Sequence, residues 1–315
     1  MTRDSFFQLD DLREAEYSNR GIWLIVNLYF GSLLFSAALA PLFAQAVHFF
    51  DPDGTSYLSG KPFSDFLNRG RLLCLLILFP VLIRRANLWS WKRLGFLSPG
   101  WSYFRKWFPI GVAMMALIFG IDLSLGIIEP RDIWTWGYQV ERMALGLIGA
   151  LLIGFMEETF FRGFVFRAFY NAMNPWKAVV ISSLFFAYLH FKMPDEPWQQ
   201  IPHSQIGWDD GLIAVWSTLT AFKVNFDALL FFNLFLVGVL LQLVFLYTRN
   251  LWACVGLHAG WVFVIQCFAK TFDQTEPAHW FFGTERVVDG YLVSLFLIGF
   301  IAFCYYLLRK RETAI

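Results

Sequence analysis

Eight apolar stretches set the limits on what this chain can fold into. They run over about 22–48, 67–84, 107–128, 144–172, 176–191, 226–247, 251–269 and 290–308. A membrane-spanning helix needs about 20 mostly apolar residues, and in hydrocarbon every backbone N–H and C=O has to be satisfied within the segment. An all-α polytopic membrane helix bundle of about eight transmembrane helices is therefore expected. Composition agrees: 57% of the residues are hydrophobic and only 16% are charged, against about 25% charged in a soluble domain. The second stretch is the weakest, since its clean apolar run, Leu72 to Ile83, lies between Arg71 and Arg84.

A formal net charge of +1 argues against nucleic acid as a partner. Cys74, Cys254, Cys267 and Cys304 fall in apolar runs without CxxC spacing and read as small buried residues. The first twenty residues mix Asp, Glu and Arg, unlike the basic start of a signal peptide. Pro41 directly after Ala38-Leu39-Ala40 disfavours cleavage there, so the first helix is read as uncleaved. Arg84, Arg85, Lys92, Arg93, Arg105 and Lys106 lie between stretches two and three, and Arg309, Lys310 and Arg311 follow stretch eight. The positive-inside rule then places both termini in the cytoplasm. The segment 192–225, with Pro194, Pro197, Pro202, Trp198, Trp208 and Trp216, is expected to be a long extracytoplasmic loop along the membrane interface, where Trp prefers to sit.

Inside the fourth stretch stands GFMEETFFRGF, residues 154–164. An ionisable side chain at the centre of a spanning helix costs roughly 2.5–3.5 kcal/mol. Glu158 and Arg162 are four apart, acid first, the spacing at which two side chains pair on one helix face. Glu157 is turned about 100° away and needs a partner on another helix. Asn174-Pro175 is a turn signal, and a hairpin folded there sets Glu157 opposite His190, each roughly 24 Å from the turn at 1.5 Å per residue. Phe186 shares the face of His190. A tight turn at Arg249-Asn250 sets His258 opposite Gln242 by the same arithmetic, and Gln266 opposite Asn233. Three polar positions from three helices, Glu157, His190 and His258, can thus converge on one pocket. Each has a plain structural reading as well: Glu158 with Arg162 as an ion pair, His258 as a packed side chain, His190 as an interfacial residue. Asp122 in stretch three finds no partner by this reasoning. The co-occurrence of EExxxR with two helical histidines is what points to a site.

These residues resemble the CPBP family of CAAX proteases and bacteriocin-processing enzymes, whose signatures are EExxxR, FxxxH, FxxG and HxxxN. Here they read Glu157-Glu158-Thr-Phe-Phe-Arg162, Phe186-Ala-Tyr-Leu-His190, Phe235-Leu-Val-Gly238 and His258-Ala-Gly-Trp-Val262. The KRLGF at 92–96 is similar to the lead-in of many bacterial members. The resemblance implies a single membrane domain over 1–315 with a catalytic core over 90–265 and a conical intramembrane cavity. It implies an intramembrane endopeptidase in a bacterial plasma membrane, acting on peptides or proteins that are lipidated or membrane-associated. Glu157 would activate water, His190 would hold that water and protonate the leaving amine, and His258 would stabilise the oxyanion. Glu158, Arg162 and Phe186 would support them. No cofactor is expected; were zinc present, Glu157, His190 and His258 would be its ligands. Val262 replaces the Asn of the last motif, and Gln242 is the candidate substitute. That departure keeps an inactive binding or immunity role open. A proton-coupled transporter is the other alternative, although no inverted repeat is visible.

Overall fold

The computed structural model describes residues 20–86, 88–131, 135–191, 201–224, 226–275, 281–283 and 288–313. The expectations for residues 1–19 and for Pro194, Pro197 and Trp198 lie outside these. The elements in chain order are α1 (Arg20–Phe50), α2 (Phe63–Arg85), the single turn α3 (Trp91–Leu94), α4 (Gly100–Ser124), β1 (Ile128–Pro130) and α5 (Trp136–Glu158). A π-helical segment (Thr159–Val165) leads without a break into α6 (Phe166–Ala172), followed by α7 (Pro175–Leu189). Then come a 3₁₀ turn (His203–Gln205), α8 (Trp208–Val224), α9 (Ala228–Thr248), α10 (Leu251–Thr271), β2 (Phe272–Gln274) and α11 (Tyr291–Thr313). The two short strands pair antiparallel, Ile128 opposite Gln274.

Among the described residues seven helices are long and apolar enough to cross a membrane, the path Trp136–Ala172 counting as one. The chain is an integral membrane protein with the expected all-α bundle architecture. The eighth expected span, α7, is an apolar helix of 15 residues. Both turns expected from sequence are present. Asn174 accepts from the Trp176 amide at 3.0 Å. Arg249 takes a left-handed conformation, φ 53°, and Asn250 caps α10 by accepting from the Trp252 amide at 3.1 Å.

The reading of 192–225 as one long loop is corrected: Trp208–Val224 is a 17-residue helix. Asp209 and Asp210 in its first turn suit the positive end of the helix dipole, and Asp210 accepts from the Gly207 amide at 2.7 Å. Trp208 and Trp216 are exposed on it.

The chain divides into two compact units. Residues 19–89 and 188–226 form one, built of α1, α2 and α8. Its helices meet through small residues, the usual route to close packing in membranes. A Cβ on Gly70 of α2 would lie 3.0 Å from the Ser36 Cβ, and one on Gly211 of α8 would lie 2.1 Å from the Ala37 carbonyl oxygen. Ala40, Ala44, Phe63, Phe66, Leu67, Ile206 and Ala214 are the core behind these contacts.

The other unit holds residues 90–187 and 227–315. In it α10 lies between α4 and α5. A Cβ on Gly260 of α10 would meet the Phe108 carbonyl oxygen of α4 at 2.4 Å, and one on Gly154 of α5 would meet the Ala259 amide nitrogen of α10 at 3.0 Å. The KRLGF turn braces the start of α10: the Leu251 amide donates to the Gly95 carbonyl at 2.8 Å, and Phe96 stacks on Phe155 of α5.

Candidate active site

Glu158 is the last residue of α5, and the π-helical turn begins behind it. There the Phe166 amide reaches back five residues to the Phe161 carbonyl. Such segments are rare and recur at functional sites; nothing in TFFRGFV announces one. The expected pair forms. Arg162 Nη1 donates to Glu158 Oε1 at 2.8 Å, and both side chains are fully buried. Phe186 and Gly238, from two of the other sequence motifs, close around that guanidinium. The Phe186 ring centre lies 4.9 Å from Arg162 Cζ, within cation–π range, and Arg162 Nη2 donates to the Gly238 carbonyl at 3.4 Å. Gly238 is needed for this approach, since a Cβ there would lie 2.9 Å from the Ser183 Cβ of α7.

His258 joins the same cluster. Its Nδ1 lies 2.7 Å from Glu158 Oε1, and its Nε2 lies 4.0 Å from Glu157 Oε2. A carboxylate engaged by Arg162 accepts only, so Nδ1 carries a proton and Nε2 is the atom presented to Glu157. The two glutamates thus divide as the one-residue offset requires. Glu158 is buried with the cation, whereas the Glu157 side chain is 33% exposed. Glu157 Oε2 is itself buried and has no hydrogen-bond partner among the described residues. Gly154, one turn before Glu158, is what lets α5 come close enough to α10 for His258 to reach it.

Gln242, expected opposite His258, finds its hydrogen-bond partner on another helix. Its Nε2 donates to Ser182 Oγ of α7 at 2.8 Å, which ties α9 to α7. Nor do the amides bond one another. Asn233 donates to the carbonyls of Val288 and Gly290 and accepts from Ser294 Oγ, and Gln266 lies over Gly149, where a Cβ would be 2.6 Å from its Oε1. The reason is geometric: each helix has more than one neighbour, and the arithmetic of a hairpin considers only the next one. His190 follows the last residue of α7, falls in the unit of α1, α2 and α8, and is exposed there. Asp122 is buried, and its Oδ1 has no partner among the described residues.

Among the described residues no three His, Cys, Asp or Glu side chains gather closely enough to hold a metal ion, and a catalytic zinc takes three protein ligands.

Fold and site together define a polytopic membrane protein with a buried Arg–Glu–His cluster beside a partly open glutamate. Residues 139–264, the stretch that carries all of these groups, match the family model of the type II CAAX prenyl endopeptidases, Rce1-like, which bears out the resemblance read from the motifs. No curated protein and no solved structure matches the chain.

Proposed function

We propose that this protein is an intramembrane endopeptidase in which Glu157 is the general base. The observation that carries the reading is the pairing of His258, Nδ1 held by Glu158 and Nε2 turned to Glu157. A gap of 4.0 Å accommodates a bridging water or substrate oxygen, the one-water reach that general acid–base chemistry allows. Glu157 would take a proton from that water as its oxygen attacks the scissile carbonyl carbon. His258, as imidazolium with a proton on each ring nitrogen, would donate from Nε2 to the developing oxyanion, in a site where fixed donors act more strongly than water does. Breakdown of the tetrahedral species would break the C–N bond, the leaving amine taking the proton that Glu157 received from the water. Arg162 and Glu158 would hold His258 in place, Phe186 would cover the guanidinium, and Gln242, engaged with Ser182, would serve helix pairing. The reaction assigned here uses no metal.

Cleavage of membrane-anchored peptides by protein in liposomes tests this, with and without a chelator. Wild-type cleavage in chelator and none from Glu157→Gln is the expected result; activity abolished by the chelator would replace the mechanism with a metal-dependent one. Binding without turnover is the second reading, favoured by Val262, whose side chain offers no donor where the family motif has Asn. On orientation, the basic residues ending α2, Arg84 and Arg85, and those in the last turn of α11, Lys310 and Arg311, support termini in the cytoplasm.

A further inference from the structure

Trp261 follows His258 by three residues in α10, a spacing that sets two side chains on one helix face. Their ring centres lie 6.2 Å apart, with the planes inclined at 54°. Cys254, one turn before His258, donates from Sγ to the Leu241 carbonyl of α9 at 3.4 Å. The stripe Cys254, His258, Trp261 is thus the face of α10 turned to α9 and to Glu158. All of these residues belong to one compact unit.

Trp261 is 5% exposed, and its Nε1 is buried without a hydrogen-bond partner among the described residues. An indole nitrogen can only donate. A donor left unmet in a desolvated interior is costly, and such groups are few in native proteins and call for an explanation. Phenylalanine would pack here without bringing an N–H to be satisfied. A second unmet group stands close by: Glu157 Oε2, 4.0 Å from His258 Nε2, is a buried acceptor without a partner among the described residues. A peptide bond under attack by water supplies what each lacks. The water O–H gives to the carboxylate, and the carbonyl oxygen takes from an N–H as negative charge gathers on it.

An N–H···O bond spans about 2.9 Å, so one oxygen between two rings 6.2 Å apart can receive from both. We propose that Trp261 Nε1 is a second oxyanion donor, acting beside His258 Nε2 on the scissile carbonyl oxygen. This rests on the endopeptidase reading above. It also accounts for Val262: the amide that the family motif places four residues after His258 is absent, and a donor stands one residue earlier. Gln242, the candidate from sequence, gives its amide to Ser182 instead. The indole keeps its proton throughout, so its effect is electrostatic and strongest when the oxygen carries full charge.

The test uses full-length protein in nanodiscs. Trp261→Phe keeps an aromatic ring and removes the N–H, so kcat for a membrane-anchored peptide should fall about 100- to 1000-fold. KM should hardly move, because the lost bond forms only as charge develops. Adding Val262→Asn should restore part of kcat. A peptide phosphinate, whose anionic oxygens stand in for the oxyanion, gives a readout without turnover. In protein carrying isotope-labelled tryptophan, the Trp261 indole resonance, assigned by its absence from Trp261→Phe, should move downfield when the phosphinate binds. The phosphinate should bind Trp261→Phe about 10- to 100-fold more weakly than wild type, the loss of one hydrogen bond to a charged group. The parent amide peptide should bind both alike. Should Trp261→Phe not fold, benzothienylalanine at position 261, with sulfur in place of the N–H at nearly the same shape, replaces it in every arm. A kcat near wild type in the variant, a loss that falls on KM alone, or an indole resonance unmoved by bound phosphinate overturns the proposal. Cleavage by wild type with an unmoved indole removes the Trp261 donor alone. An indole moved by phosphinate in protein that cleaves nothing removes the endopeptidase reading and leaves Trp261 as an anion donor. Neither cleavage nor phosphinate binding removes both.

Discussion

Glu157 and Glu158 are adjacent in the chain, yet only Glu158 is within hydrogen-bonding distance of both Arg162 and His258, at 2.8 and 2.7 Å. Substitutions at the two positions should therefore fail in different ways. Glu157→Gln keeps the shape and removes the base, so cleavage should fall by about 100-fold or more while thermal unfolding hardly moves. Near-normal turnover in this variant would end the assignment of Glu157.

Glu158→Gln leaves a buried guanidinium without its counter-charge. Removing one partner of a buried ion pair costs about 3–5 kcal/mol. Lower thermal stability should accompany lost activity, and a variant as stable as wild type would show that the Gly238 carbonyl and Phe186 suffice to hold Arg162.

Gly238→Ala introduces a methyl that would meet Ser183 Cβ at 2.9 Å. Overpacking of this order costs about 1–3 kcal/mol and pushes α9 off α7, taking the carbonyl away from Arg162. Ser183→Gly placed on top should recover part of the loss in a thermal unfolding series; no recovery would locate the strain elsewhere.

Much of this cluster was legible in sequence, and the limit of legibility is physical. The Glu158–Arg162 pair follows from helical period, and the turns at Asn174 and Arg249 follow from residues that favour caps and left-handed backbone. The His258–Glu158 contact does not follow, because α5 and α10 are remote in the chain and meet through Gly154 and Ala259, a packing decision with no local signature. The π-helical turn and the helix over Trp208–Val224 were equally hidden, the first because its residues are ordinary helix and core types, the second because prolines and tryptophans upstream resemble loop.

Gln242→Leu tests whether that amide is structural. Interhelical hydrogen bonds in membranes average about 0.6 kcal/mol, so a small drop in stability with cleavage retained is expected. A collapse of turnover by about 100-fold or more would instead make Gln242 an oxyanion donor.

Asp51, just beyond α1, accepts from the Thr55 and Ser56 amides and from Ser59 Oγ. The Ser59 and Ser56 bonds hold its carboxyl below the usual range, near 3.9 in model peptides. A lowered value means that the loop's order is complete above that range and is lost only as pH falls through the lowered value. Amide exchange at Thr55 and Ser56 should thus be unchanged between pH 7 and 5 and should speed up in Asp51→Ala at both. Equal exchange in variant and wild type would deny the cap.

The fifteen residues of α7 rise only about 22 Å, while the hydrocarbon layer of a bilayer is about 30 Å thick. The chain leaves helical form at His190 before it could have crossed. Irregular backbone at that level is tolerated only beneath protein or in a wet recess, so water should reach this depth along the end of α7. Acyl-chain length then becomes a control on the hydration of His190: short-chain lipids bring the aqueous boundary nearer to it, and long-chain lipids draw it away.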